Sequence, residues 1–104
     1  MPAAARASGS DRVLSRTGVG HNCANPVEVV TGEGSPNVFI NGIAVVRQGD
    51  KVGPHNASGC GPDESALSTF SATVFVNGKG MGRIGDEYTS DNTIISGSTN
   101  VFAG

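Results

Sequence analysis

Tryptophan is absent, leucine occurs only at Leu14 and Leu67, and tyrosine occurs once. Charge is sparse as well. Only 15% of the 104 residues are Asp, Glu, Lys or Arg, and the net charge is -2. A nucleic-acid binder needs a basic patch, so that class of partner is excluded. No apolar run approaches the roughly 20 residues that a membrane-spanning helix needs. The opening Met1-Pro2-Ala3-Ala4-Ala5-Arg6 lacks the apolar centre of a secretory signal. A chain of this length is expected to be one domain, residues 1–104, burying roughly 60–70% of its unfolded surface.

What is present favours strands. Twelve Val, five Ile and seven Thr outnumber the two Leu. β-branched side chains are stiff at χ1 and fit a pleated surface better than a helix. Sixteen Gly, with Asn, Asp and Ser at short intervals, suit many tight turns. The expected class is all-β, built from short hairpins.

Self-similarity organises the chain. Val38-Phe39-Ile40-Asn41-Gly42 leads to Arg47-Gln48-Gly49-Asp50, and Val74-Phe75-Val76-Asn77-Gly78 leads to Arg83-Ile84-Gly85-Asp86. A third copy, Asn100-Val101-Phe102, has no return strand after it. Pro2-Ala3-Ala4-Ala5-Arg6 matches the return strand, so the last strand is expected to pair with the first. Asn-Gly is the preferred pair for a type I′ hairpin turn, because both central residues need φ > 0. Arg47 and Arg83 are expected to pair with the nearby Asp or with a turn carbonyl. Three such hairpins about one axis give approximate threefold symmetry. Between the copies, residues 62–67 are expected to form a short helical turn capped by Asp63.

Both His and both Cys lie in two long loops. His21 and Cys23 fall in residues 18–34, and His55 and Cys60 in residues 51–71. In an extended segment positions i and i+2 face one side, so His21 and Cys23 can address one ion. Two imidazoles and two thiolates make a tetrahedral zinc set, with iron as the second choice of metal. Three other readings stay open: a Cys23–Cys60 disulfide, a site using three of the four, and four unrelated surface residues. A closed four-ligand site has no position for water and would be structural. With both His consumed there is no evident general base, so an enzyme is not expected. Gly80-Met81-Gly82-Arg83-Ile84-Gly85 fits a dinucleotide fingerprint, but it lies in a return strand rather than at the start of a helix.

In combination and order, these residues resemble the PAAR-repeat proteins that tip the spikes of contractile injection machines. The resemblance rests on Pro2 to Arg6, Gly20-His21, residues 34–42, Arg47 to Asp50, the second V-F-V-N-G with Arg83 to Asp86, and residues 97–102. It covers nearly the whole chain. It implies a small β cone seated on the blunt end of a trimeric β-helical spike, one tip per trimer, monomeric when free. It also implies a metal near the apex, commonly zinc, held by His and Cys. His21 and His55 match the family's ligand positions, Cys60 follows, and Cys23 stands in for a further His. The implied role is to sharpen a phage tail spike, at the tip of the virion, for penetration of the bacterial outer membrane. The alternative is a type VI secretion tip, made in the bacterial cytoplasm and exported with docked effectors. Ser8-Gly9-Ser10-Asp11 interrupts the R-x-G-D that the family pattern has after Arg6, so the first repeat carries an insertion. No further domain is expected beside the repeats. Phe39, Phe75 and Phe102 hold equivalent places and are expected to pack a shared layer, or else to meet the spike.

Overall fold

A computed structural model of the chain describes residues 1–15, 27–53, 56–57, 61–62, 65–89 and 92–104. The described residues are all-β, without a helix. The strands are β1 (Arg12–Ser15), β2 (Val27–Val30), β3 (Phe39–Ile40), β4 (Ile43–Ala44) and β5 (Asn56–Ala57). They continue with β6 (Gly61–Pro62), β7 (Phe75–Val76), β8 (Lys79–Gly80), β9 (Glu87–Tyr88) and β10 (Asn92–Ile94).

β3–β4 and β7–β8 are the two Asn-Gly hairpins. Phe39 pairs with Ala44, and Phe75 with Gly80. Asn41 and Gly42 have φ of 55° and 76°, and Asn77 and Gly78 have 54° and 76°. These are the left-handed positions that a type I′ turn requires. The two ends of the chain make the third hairpin, as the repeats imply. Phe102 bridges Ala3, and Ala4 N–H donates to the Val101 carbonyl at 2.9 Å. The same bond joins Val45 to Val38 at 3.2 Å and Met81 to Val74 at 3.0 Å.

The three return strands close on one another. Ala4 bridges Arg83, Arg47 bridges Met81, and Arg6 bridges Val45. Ala5 N–H donates to Gly82 O at 2.9 Å, Gly82 N–H to Val46 O at 2.8 Å, and Val46 N–H to Ala5 O at 3.2 Å. That triangle marks a pseudo-threefold axis. Side chains alternate across a strand, so the triangle separates two cores. Ala4, Val45 and Met81 face one side and pack with Ile40, Val76 and Ala103. Ala5 and Val46 face the other and pack with Val13, Val52, Leu67, Tyr88 and Ile94.

The second core belongs to three arms, one after each of Asp11, Asp50 and Asp86. They carry β1–β2, β5–β6 and β9–β10. The arms also pair in a cycle: Thr31 bridges Val52, Leu67 bridges Tyr88, and Val13 pairs with Ile94. Gly32 and Gly53 sit at one crossing, where an added Cβ would lie 2.8 Å from Lys51 O and 2.5 Å from Val30 O respectively. Only glycine permits that approach. The expected helical turn does not form in its described part. Gly61–Pro62 is a strand, and Ala66 and Leu67 bridge Lys51 and Tyr88. Cross-arm hydrogen bonding outweighs a weak local helix signal there; Asp63 lies outside the described residues.

Candidate docking face and predicted metal ligands

Each return strand ends in an arginine clipped to a buried aspartate. Arg47 Nε donates to Asp50 Oδ2 at 3.0 Å and Nη2 to Oδ1 at 3.0 Å, and the Arg47 N–H reaches Oδ2 at 2.7 Å. Arg83 makes the same three bonds to Asp86, and Arg6 to Asp11. The Asp11 clip spans the insertion Ser8-Gly9-Ser10, with Ser8 and Gly9 at φ of 56° and 78°. The extra residues bulge outward and leave the clip geometry unchanged. Hydrogen bonding to Asp11, Asp50 and Asp86 raises the three guanidinium pKa values above their ordinary range, against the lowering effect of burial. In each clip the paired charges fix the turn that follows the return strand.

At the hairpin end, three buried serines tie the copies together. Ser35 Oγ accepts the Asn37 and Val38 N–H groups at 3.2 and 2.9 Å. Ser71 and Ser98 do the same for Thr73 and Val74, and for Asn100 and Val101. Each hydroxyl then donates to a neighbouring copy. Ser98 Oγ reaches Asn41 Oδ1 at 2.7 Å, and Ser35 Oγ reaches Asn77 Oδ1 at 2.6 Å. Ser71 Oγ bonds the Gly104 carbonyl, at the place equivalent to those Asn oxygens. Asn41 Nδ2 donates to Asn100 Oδ1, and Asn77 Nδ2 to Asn37 Oδ1, each at 2.9 Å. This polar belt was not anticipated from the sequence. Its only sequence signal is the serine three residues before each Val-Phe.

Phe39, Phe75 and Phe102 do not pack a shared layer. They are 58, 60 and 50% exposed. The space on the axis is already filled by Ile40, Val76 and Ala103 against Ala4, Val45 and Met81. The period-2 pattern therefore turns the rings outward. Opposite them stand Ala44, Gly80 and Ala3, which are too small to cover a ring. Isolated exposed apolar residues need no explanation, but three large ones at symmetry-related positions do.

The four predicted metal ligands, His21, Cys23, His55 and Cys60, lie outside the described residues. The described residues on either side of them include β1, β2, β5 and β6. Ser15 pairs with Val27, and Gly53 N–H donates to Val30 O at 2.9 Å, so these strands run side by side. Among the described residues no group of three or more His, Cys, Asp or Glu could hold a metal. One buried polar atom in the arm core lacks a hydrogen-bond partner among the described residues: the Tyr88 hydroxyl. Burial raises its pKa above the ordinary tyrosine range, and the charges of Asp50 and Asp11 add to the effect.

No family model matches the chain, and no curated protein matches it as a relative.

Proposed function

We propose that this chain is a structural spike tip of the PAAR type, which caps and sharpens the trimeric β-helical spike of a contractile phage tail. The observation that carries the proposal is the threefold placement of exposed Phe39, Phe75 and Phe102 about the closed return-strand triangle. A body with pseudo-threefold symmetry offers a true trimer three similar contacts from a single copy. The motif resemblance supports the same reading, and adds zinc bound by His21, Cys23, His55 and Cys60. The metal would clip together two stretches distant in sequence in a small domain. The role is mechanical, assisting passage through a bacterial outer membrane, and calls for no catalytic residue. A rigid, cross-clipped body transmits force to a small area without unfolding.

The docking test is a triple substitution, Phe39→Ser, Phe75→Ser and Phe102→Ser, assayed for binding to the cognate trimeric spike. The expected result is lost binding with an unchanged melting temperature. Retained binding overturns the docking role. The metal test is elemental analysis of protein purified without a metal-binding tag. One zinc or iron per chain is expected, reduced by His55→Ala and by Cys60→Ser. A metal-free protein with a Cys23–Cys60 disulfide contradicts that part of the proposal.

A further inference from the structure

The sequence contains two Asn-Gly pairs, Asn41-Gly42 and Asn77-Gly78, both exposed at hairpin tips. Asn-Gly is chemically labile in a flexible chain. The glycine backbone nitrogen attacks the asparagine Cγ, ammonia leaves, and a five-membered succinimide forms. Water then opens that ring to aspartate or isoaspartate. Glycine favours the step because it has no side chain to hinder the attack.

Ring closure requires the side-chain amide to swing over its own C-terminal peptide bond. In this fold both ends of each amide are tied to a different copy. Asn41 Oδ1 accepts from Ser98 Oγ at 2.7 Å, and its Nδ2 donates to Asn100. Asn77 Oδ1 accepts from Ser35 Oγ at 2.6 Å, and its Nδ2 donates to Asn37. Asn77 has one more tie, since Arg47 Nη1 donates to its oxygen at 3.2 Å. We propose that Asn41 and Asn77 are latent deamidation sites, held closed by these cross-copy bonds and released only when a hairpin opens.

The product would fail to fit the closed form. An aspartate at 77 places an oxygen where the Nδ2 donor now meets Asn37 Oδ1 at 2.9 Å. An isoaspartate adds a backbone atom to a two-residue turn and breaks the Val76–Lys79 register. The modification is therefore a one-way mark of hairpin opening.

The experiment incubates the whole chain at mildly alkaline pH, folded and in urea, and follows the mass gain at each Asn by peptide mapping. Breaking two or more hydrogen bonds first should slow the folded chain by roughly tenfold or more. Asn77, with the extra tie, should react more slowly than Asn41. Two variants separate pinning from general loosening. Ser35 lies in the segment that leads to Asn41 but pins Asn77. Ser35→Ala should therefore accelerate Asn77 and spare Asn41, while Ser98→Ala should accelerate Asn41 and spare Asn77. Equal rates in folded and unfolded chains overturn the proposal. So does Ser35→Ala acting on Asn41 alone, which would indicate a merely loosened strand.

Discussion

Glu33, Thr69 and Ser96 occupy one position in the three copies, and their side chains accept from the Lys51, Glu87 and Arg12 N–H groups. Thr69 and Ser96 also donate to the clip aspartates Asp86 and Asp11, each at 3.0 Å. An ionised Glu33 cannot give Asp50 the corresponding bond. Glu33→Thr should therefore stabilise the fold by about 1 kcal/mol, read as a raised midpoint in urea. A lowered midpoint would show that the copies are not equivalent there. Tyr88 breaks the pattern differently, because Val13 and Val52 fill its place in the other arms. Its pKa is raised in the folded state, so the unfolded chain ionises first, near pH about 10. The stability that Tyr88 contributes is full below that value and falls as pH rises through it. Tyr88→Phe should flatten this alkaline loss. It should also leave neutral-pH stability equal or higher by about 1 kcal/mol, since a buried hydroxyl with no partner among the described residues is removed. Unfolding curves across alkaline pH check both statements.

At the scale of elements, the hairpins were legible and the arms were not. Asn41-Gly42 and Asn77-Gly78 name their own turn type, and Arg47–Asp50 and Arg83–Asp86 recur in register. Both rest on local chemistry that a sequence carries openly. The arm strands have mixed composition, and cross-arm pairing forms them, as with Ala66 and Leu67. The shared packed layer expected of Phe39, Phe75 and Phe102 does not form, because Val-Phe-Ile, Val-Phe-Val and Val-Phe-Ala are apolar on both faces and alternation alone cannot tell inside from outside. Crowding on the axis decides it. Phe70 shows the same logic of space. Gly34, Phe70 and Gly97 are equivalent, and so are Ala44, Gly80 and Ala3. An added Cβ at Gly34 or Gly97 would crowd the alanine opposite, and at Gly80 it would strike the Phe70 ring. Gly80→Ala should cost about 1–3 kcal/mol by overpacking. The change Phe70→Gly should cost less beside Gly80→Ala than alone, a coupling that denaturant midpoints of the four variants would reveal. Additive losses would contradict the fit. Removing one clip carboxylate, Asp86→Ala, should cost about 2–4 kcal/mol, because three bonds from Arg83 and one from Thr69 are lost.

For the whole molecule, closure is the central feature. The principal-axis extents are 37 × 23 × 23 Å, with two equal short axes as a threefold body requires. Residues 2–6 supply the return strand for residues 98–103, so segments about a hundred positions apart in sequence form one hairpin. The first core meets the hairpins, the second meets the arms, and the return-strand triangle joins them. That closure was legible from the truncated third copy. The polar belt of Ser35, Ser71 and Ser98 was not, because its partners come together only once the copies are arranged around the axis. The predicted ligands His21, Cys23, His55 and Cys60 rest on the sequence alone. The most direct test of the proposed role is the native mass of the chain bound to its trimeric spike. The account predicts one copy per three spike chains, because one body already presents Phe39, Phe75 and Phe102 in threefold array. Three copies per trimer, or no complex, would contradict it.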